Sequence, residues 1–299
     1  MIVAANIGVC DEAELIERHL RHLQAIGVDR IVVSDTGSTD GTLDILEAYA
    51  RRGEIELLRV DAADPDAFDY ANRMLAHTLR AVRPDWVLLG DADEFHIPRS
   101  GRIHDALDGA SADVLQVERF NVVVAPEGPC WGRELGPAGH DELELIVRQV
   151  PQARRHLERH PDAPWILGRI LPKVVARAGA LEGGIRMGAH VAHPGAAEAP
   201  SVATPTDLLI AHLPITTRAR FMRKLDNIRR VAALAGDRFG PGDAWHWWRW
   251  LELARQGRAD EEYERQVFDA PTLARLRAQG TVLSAAEWFR APVIASSLR

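Results

Sequence analysis

Two short apolar runs, each followed directly by a cluster of acidic residues, constrain the fold of this chain more than any other feature of its sequence. Residues 31–33 precede an acidic turn at 35–42, and residues 86–90 precede a second one at 91–95. Such runs are typical of strands that are buried on both faces of a parallel sheet. Because open α/β sheets bind ligands at the carboxyl ends of their strands, the two clusters are expected to converge on one crevice.

The first acidic turn has the composition of a ligand-binding strand end. Asp35 stands behind the apolar run, and Gly37 and Gly41 allow the backbone to turn there. Ser38 and Asp40 lie between the two glycines and can cap the helix that follows. A turn of this kind can face a nucleoside or a phosphate, and it can equally be an ordinary capped connection between a strand and a helix.

The second acidic turn suggests a metal ion. The like charges of Asp91, Asp93 and Glu94 repel one another unless a cation or nearby donors neutralise them. Alternate residues of an extended chain point to the same side, so Asp91 and Asp93 are expected to share one target. Carboxylate oxygens suit Mg²⁺ or Mn²⁺, with diphosphate oxygens completing the shell. A solvated acidic turn without a metal is the alternative.

The order of these elements resembles the nucleotide-binding half of the family 2 glycosyltransferases, which have the GT-A fold. The two acidic turns begin 56 residues apart and follow the patterns D-x-G-S-T-D-G-T and D-x-D-E-F. The resemblance covers roughly residues 1–230 and implies a Rossmann-like α/β fold, with a mixed, mainly parallel sheet flanked by helices. We expect this catalytic domain to span residues 1–215 and a helical C-terminal extension to span residues 216–299.

The resemblance also implies roles for single residues. Asp35 would contact the nucleoside of a sugar nucleotide, with the turn at Asp40 close by. Asp91 would approach the ribose, and Asp93 would be the main metal ligand. Many relatives have Asn-Glu after the first strand, whereas this chain has Cys10-Asp11-Glu12 and keeps only the acidic half. The resulting nucleotide-binding set is Glu12, Asp35, Ser38, Asp40, Asp91 and Lys173.

Two segments further along the chain resemble the later part of a bacterial branch of this superfamily. One is 171–177 followed by 188–191, and the other is Ala211-His212-Leu213-Pro214, with leucine in place of the usual aromatic residue. A neutral imidazole at His212 could ligate the metal together with Asp93 and Asp91, or bond to the diphosphate, and His190 is the alternative ligand. Lys173 could hold a phosphate, or it could be a strand lysine with its head in solvent.

The expected chemistry follows from the charge that develops on the departing diphosphate, which a divalent ion stabilises. An inverting transfer also needs a general base at the acceptor hydroxyl. Asp141 and Glu142 are candidates, and the alternative for each is a hydrated acidic loop. Glu94 is a third catalytic candidate, which could instead brace the Asp93 turn.

We therefore expect a metal-dependent, nucleotide-sugar-dependent glycosyltransferase of the hexosyltransferase type. Its partners would be a nucleoside-diphosphate sugar and an acceptor hydroxyl on a glycan, a lipid-linked glycan or a small molecule. The alternative is a non-catalytic nucleotide-sugar-binding or scaffold module that keeps the fold. In that case the tryptophan-rich segment 245–250 would supply an interaction surface.

Composition narrows the classes of partner. The chain has 299 residues, a formal net charge of −7 and a pI near 6.0, which argue against nucleic-acid binding. It has two cysteines and no apolar run of the roughly 18 residues that a membrane span requires. We expect a cytoplasmic location, with peripheral contact to the inner membrane face through the basic segment 218–230 as an option. Segment 245–250 could pack in the core or form a homodimer contact.

Overall fold

The computed structural model describes residues 1–61, 69–133, 135–186, 188–195, 199–236, 240 and 244–291. Its strands are Val3–Val9 (β1), Arg30–Asp35 (β2), Glu56–Arg59 (β3), Trp86–Asp91 (β4), Glu94–Pro98 (β5), Val114–Val117 (β6), Arg119–Asn121 (β7), Val124–Ala125 (β8), Gly128–Pro129 (β9), Glu144–Ile146 (β10), Lys173–Arg177 (β11), Val202–Ala203 (β12), Leu208–His212 (β13) and Val282–Ser284 (β14). Its α-helices are Ile16–Ala25 (α1), Thr42–Arg51 (α2), Tyr70–Ala81 (α3), Ile103–Asp108 (α4), Ala153–Arg159 (α5), Arg218–Ala235 (α6), Trp245–Arg255 (α7), Ala259–Arg265 (α8), Ala270–Ala278 (α9) and Ala285–Arg290 (α10).

A seven-stranded sheet forms the centre of the molecule, in the order β12-β6-β11-β4-β1-β2-β3. Strands β4, β1, β2 and β3 are parallel, and β11 runs antiparallel between β4 and β6. This mixed and mainly parallel sheet, flanked by helices, confirms the predicted fold class.

Alternate residues of the central strands face two helical layers. Trp86 and Leu88 lie in a core with side chains of α1, α2 and α4, whereas Val87 and Leu89 pack with Leu75 of α3. Helix α1 buries Ile16, Leu20 and Leu23, which the spacing of one helix face brings into line. Each such side chain contributes about 1.5–3 kcal/mol when it leaves water, so the amphipathic pattern fixes the helix on the sheet.

The register of the parallel strands brings both acidic turns to the same edge. Asp35 lies opposite Val9 of β1, and Asp91 lies opposite Gly8 on the other side of that strand. The two aspartates are therefore two strand spacings apart, about 10 Å.

A second, three-stranded sheet, in the order β5-β13-β7, completes the region behind the second acidic turn. Strand β13 is antiparallel to β5, with His212 opposite Glu94. It is parallel to β7, with His212 opposite Asn121. This pairing brings a histidine far along the chain beside the carboxylates that follow β4.

Helices α6 to α9 pack into a core that they share with earlier parts of the chain, and α10 packs into another core with side chains of β5 and β13. Phe221 and Trp250 are buried with Val123 and Ile166, and β14 pairs antiparallel with β10. The predicted boundary at residue 215 therefore runs through a common core. In the described parts of the chain, no helix combines the length and the apolar character that crossing a membrane would need.

Candidate active site

The second acidic turn is a true turn and does not continue the strand. Strand β4 ends at Asp91, residues 92 and 93 turn, and β5 begins at Glu94. Because the chain turns there, Asp91 and Asp93 have different partners, and the extended geometry from which one shared target was predicted is not present. Oδ2 of Asp91 lies 3.0 Å from Nζ of Lys173, whereas Asp93 faces His212 and helix α6.

Glu94 is fully buried and holds the turn together. It accepts the N–H of Asp91 at 3.1 Å and pairs with Lys173 at 2.9 Å and with Arg119. Burial alone would raise the pKa of Glu94, but the cations of Lys173 and Arg119 hold it below its ordinary value. These contacts favour the bracing interpretation of Glu94 over a role as an acid or base.

Lys173 does not keep its head in solvent. Only 2% of its side chain is exposed, and its ammonium group bridges Asp91 and Glu94. Burial would lower the pKa of Lys173, yet the two carboxylates raise it above its ordinary value. The positive charge of Lys173 offsets the negative charges of Asp91 and Glu94, which β4 and β5 bring close together.

Asp93 is the most heavily neutralised carboxylate of the group. Arg220 and Lys224 of helix α6 reach its Oδ2 at 3.1 and 2.7 Å, and Nε2 of His212 lies 3.9 Å from its Oδ1. Burial would raise the pKa of Asp93, but the charges of Lys224 and Arg220 hold it well below the ordinary value. Asp93 is thus ionised, with Oδ1 turned toward the imidazole.

His212 is fixed in one orientation and one tautomer. Its Nδ1 lies 2.7 Å from Oδ1 of Asn121, whose Nδ2 donates to the carbonyl of Ile166 at 2.8 Å. Because the amide oxygen of Asn121 faces the ring, Nδ1 of His212 must carry the proton. Burial and the charge of Arg119 lower the pKa of His212 well below its ordinary value, so the ring is neutral. Nε2 therefore presents a lone pair toward Asp93.

The donor atoms of Asp93, Glu94 and His212 fit a divalent ion. Among the described residues these three form a group whose ligand atoms lie within 4.8 Å of one another. Magnesium and zinc bind such donors at about 2.0–2.2 Å, so one ion can reach both Oδ1 of Asp93 and Nε2 of His212. Glu94 already carries two cations, and Asp91 lies outside the group, paired with Lys173.

His190, the alternative ligand, lies beside the same charges but outside the group of three donors. Its Nδ1 lies 2.7 Å from the carbonyl of Pro172, directly before β11. Burial, with the nearby charges of Lys173 and Arg119, lowers the pKa of His190. The geometry favours His212 as the nitrogen donor.

Asp35 carries the second feature of the site. Its Oδ1 accepts the N–H groups of Gly37 and Ser38, both at 3.0 Å, and thereby fixes the turn. Its Oδ2 is buried and has no hydrogen-bond partner within the part of the chain that the structure describes. Since buried polar atoms are nearly always satisfied, this oxygen is available for a ligand.

The other residues of the first turn connect two loops. Asp40 accepts the N–H groups of Ala13 and Thr42, each at 3.1 Å. The hydroxyl of Ser38 accepts the N–H of Asp11 at 2.9 Å. Ser38 and Asp40 thus hold the loop after β1 against the turn after β2.

Glu12 is tied to helix α6. Its two carboxylate oxygens accept from Nε and Nη2 of Arg220 at 2.7 and 2.9 Å, and the same Nη2 also bonds to Asp93. Arg220 therefore connects the loop after β1 to the second acidic turn. No role was predicted for Arg220, although it lies one helical turn before Lys224 in the basic segment 218–230.

The two base candidates have other partners. Asp141 is exposed and lies 3.5 Å from Arg290. Glu142 accepts the N–H of Arg133 at 3.3 Å, within the loop that follows β9. That loop is attached to α1, because Arg18 lies over the ring of Trp131 at 3.8 Å.

Sequence reasoning also missed Arg119 and Asn121. They are alternate residues of β7 and so lie on one face of the strand, which faces Glu94 and His212. The polar pair in an otherwise apolar stretch, R-F-N-V-V-V, was the available signal.

Tyr70, the first residue of α3, lies at the same edge of the sheet. A Cβ atom on Gly8 would be 2.5 Å from its hydroxyl, so β1 needs glycine opposite Asp91 for this ring to approach. Burial, together with the charge of Asp91, raises the pKa of Tyr70, which stays a neutral phenol.

An open, mainly parallel α/β sheet with acidic turns at the carboxyl ends of β2 and β4 defines a protein of the Rossmann-like α/β class, in which ligands bind at that edge of the sheet. Residues 7–127 match the family model for Glycosyl transferase family 2. The match covers both acidic turns. No curated protein sequence matches the chain significantly.

Solved structures with a similar fold include TarS of S. aureus, with 15% identity and a TM-score of 0.42. The alignment covers 86% of this chain and 43% of that one. TarS 1–349 in complex with UDP-GlcNAc has 12% identity and a TM-score of 0.40, over 94% of this chain and 92% of that one. Glucosyl-3-phosphoglycerate synthase from Mycobacterium tuberculosis, in complex with Mn²⁺, UDP and glucosyl-3-phosphoglycerate, has 18% identity and a TM-score of 0.32. The alignment covers 60% of this chain and 59% of that one.

The chain thus spans less than two thirds of the full TarS chain and of the synthase. At such low identities and TM-scores, these structures say nothing about the substrates of the present chain.

Proposed function

We propose that this protein transfers a sugar from a nucleoside-diphosphate sugar to a hydroxyl group of an acceptor, with the help of Mn²⁺ or Mg²⁺. The observation that carries the proposal is that one sheet edge brings together the buried, unpartnered carboxylate oxygen of Asp35 and the donor pair of Asp93 and His212. The two features serve the two ends of such a donor, its nucleoside and its diphosphate.

The nucleotide would lie along the ends of β2, β1 and β4. Asp35 would accept an N–H of the base through Oδ2, and Asp91, half of whose side chain is exposed, would bond to the ribose. The distance of about 10 Å between them suits a nucleoside. Ser38, Asp40 and Glu12 would shape this end of the site through the loops that they hold, and Lys173 would act through Asp91.

The diphosphate would lie at the second turn. Asp93 and His212 would hold the divalent ion, which supplies stabilisation of the negative charge on the leaving group. Asn121 would keep Nε2 of His212 free of its proton and aimed at the ion. Glu94 would keep the turn in shape through its bonds to Asp91, Lys173 and Arg119.

An inverting transfer is part of the proposal, and its base is sought in Asp141 or Glu142. Asp141 is the freer of the two, because Glu142 is used to hold the N–H of Arg133. A base role for Asp141 predicts that Asp141→Asn lowers kcat by about 10²–10⁴ with little change in donor affinity. The acceptor would be a glycan, a lipid-linked glycan or a small molecule that enters beside the loop containing Trp131.

The test is the metal-dependent release of nucleoside diphosphate from a panel of sugar nucleotides. Release that requires Mn²⁺ or Mg²⁺, and that increases when an acceptor is supplied, would support the transferase. A thermal-shift screen with uridine, guanosine, thymidine and cytidine diphosphates, with and without Mn²⁺, would identify the base. Binding without release under all these conditions would favour the non-catalytic nucleotide-sugar-binding module instead.

A further inference from the structure

The carboxylate best placed to hold a metal ion is already occupied by a lysine. Nζ of Lys224 lies 2.7 Å from Oδ2 of Asp93, whose other oxygen faces His212. We propose that Lys224 takes the place of the divalent ion on Asp93 in the metal-free protein, and that the ion displaces its ammonium group toward the diphosphate of the donor. This inference rests on the proposed function and adds a second cation to the leaving-group site.

Of the two cations on Asp93, Arg220 is the one that is fixed. Its side chain is only 2% exposed and bonds to both oxygens of Glu12. It also donates to the carbonyls of Leu213 and Pro214, at 2.9 and 3.3 Å. Moving Arg220 would leave several buried acceptors and a buried guanidinium group without partners, which is costly.

Lys224 is held much less firmly. Its side chain is 20% exposed, so its head already borders solvent. Apart from Asp93, its bond is to the carbonyl of Pro214 at 3.4 Å, which is long. The four-carbon stem of a lysine is flexible, and its ammonium group carries three donors that rotate freely. Lys224 can therefore change partners at little cost.

The backbone of α6 stays in place during such an exchange. The hydroxyl of Thr217 accepts the N–H of Arg220 and caps the helix. Phe221, Leu225 and Ile228 are buried on one side of it. The exchange therefore requires only a new side-chain rotamer of Lys224.

Electrostatics supplies the driving force. A divalent ion on Asp93 places two positive charges within a few ångströms of the ammonium group, and repulsion at that distance outweighs the remaining attraction of one shared carboxylate. The donor diphosphate brings negative charge to the same place. The released ammonium group would donate charge-assisted hydrogen bonds to its phosphoryl oxygens. No bond is made or broken in this step, and no proton is transferred.

The proposal predicts two opposite effects of removing the same charge. Without Lys224, Mn²⁺ no longer has a competitor on Asp93, so the metal should bind more tightly when no nucleotide is present. The diphosphate loses a cation, so the nucleotide should bind more weakly when the metal is present. If Lys224 only supported the structure, removing it would weaken the binding of both Mn²⁺ and the nucleotide.

The experiment uses the full chain and measures Mn²⁺ binding by the electron paramagnetic resonance signal of the free ion. For Lys224→Met we expect Mn²⁺ affinity without nucleotide to rise about tenfold. Nucleotide affinity is measured by calorimetry at saturating Mn²⁺, with whichever of the uridine, guanosine, thymidine and cytidine diphosphates binds most tightly. We expect this affinity to fall about tenfold. Lys224→Gln, which keeps a polar head without the charge, should behave in the same way.

Arg229→Met is the matched control, because it removes an exposed charge from the same helix at a residue that pairs with Asp226. It should leave both affinities within about twofold of the wild-type values. Unchanged or weaker Mn²⁺ binding in both Lys224 variants would overturn the displacement proposal, while leaving the metal site intact. If neither the wild type nor the variants bind Mn²⁺, the metal site of the proposed function is overturned, and this proposal fails with it.

Discussion

At the scale of single residues, the tautomer of His212 decides whether the site can hold a metal. The ring can offer Nε2 only because Oδ1 of Asn121 accepts the N–H of Nδ1 and so keeps the proton on that nitrogen, and Asn121 is oriented in turn by the carbonyl of Ile166. A buried imidazole without this partner could place its proton on either nitrogen. Under the proposed function, the amide would therefore contribute to metal binding without touching the metal.

Replacing Asn121 with alanine tests this dependence. The Asn121→Ala protein should bind Mn²⁺ about 10–100-fold more weakly, because the orienting bond to His212 is lost. The measurement is a Mn²⁺ titration, with circular dichroism to confirm that the fold persists. Asn121→Asp retains an oxygen acceptor for Nδ1 and should keep more of the affinity than the alanine variant. Equal losses of Mn²⁺ affinity in the alanine and aspartate variants would show that the hydrogen bond from Nδ1 of His212 is not the cause of the loss.

Asp93 pairs with Arg220 and Lys224, and it is the proposed charged ligand of the metal. Asp93→Asn should abolish Mn²⁺ binding and sugar transfer, since it removes the charged ligand. Arg220 keeps Glu12 as a partner and Lys224 can reach solvent, so the free energy of unfolding should fall by only about 1–3 kcal/mol. Urea denaturation measures the second effect. Normal Mn²⁺-dependent transfer in this variant would disprove the ligand assignment.

At the scale of elements, the strands and their ends are the part that the sequence predicts best. Strands β2 and β4 are continuous apolar runs, and the residues that follow them determine where they stop. The cations that pair with Asp93 are harder to predict. Arg220, for example, is 127 positions away from Asp93 and meets it only because α6 packs against the second sheet. The turn at 92–93 was also missed, since a D-x-D pattern fits an extended chain as well as a turn.

Helix α1 and strand β5 carry a group of buried histidines that makes stability depend on pH. Burial lowers the pKa of His22 to about 4 and that of His96 to about 3, from 6.5. The folded protein therefore keeps these rings neutral at pH values where the unfolded chain protonates them. Stability from this source is fully present above pH 6.5 and is lost as the pH falls from 6.5 toward the folded-state pKa values.

Chemical denaturation at pH 7, 6 and 5 measures this effect. Each such histidine should lower the free energy of unfolding by up to about 1.4 kcal/mol per pH unit below 6.5. His22→Gln keeps a donor for the carbonyl of His96 but cannot titrate, so its stability should fall less steeply. Identical slopes in the variant and the wild type would mean that His22 is not part of the effect.

At the scale of the whole molecule, the site depends on helix α6, which lies beyond the domain boundary that the sequence predicts at residue 215. Arg220 and Lys224 reach Asp93 from α6, and α6 lies in a core with Val123, Ile166 and Trp250. The cations that pair with Asp93 therefore come from beyond the predicted division at residue 215.

A truncated chain of residues 1–215 tests whether the predicted catalytic domain folds without the C-terminal helices. It would expose the apolar side chains that now face α6 and α7, and it would leave Glu12 and Asp93 without Arg220. We expect it to unfold without cooperativity, or to aggregate, and to bind no Mn²⁺. A cooperative thermal transition together with wild-type Mn²⁺ affinity would establish residues 1–215 as an independent domain.

The unpartnered oxygen of Asp35 has a consequence for inhibitor design. Under the proposed function, a base that sits there would offer an N–H group, because the unpartnered oxygen of Asp35 can accept a hydrogen bond. Methylating that nitrogen would both remove the bond and force a methyl group against a buried polar oxygen. Compounds that mimic the nucleoside should therefore keep an amide or imide N–H at this position, whatever replaces their sugar and phosphates.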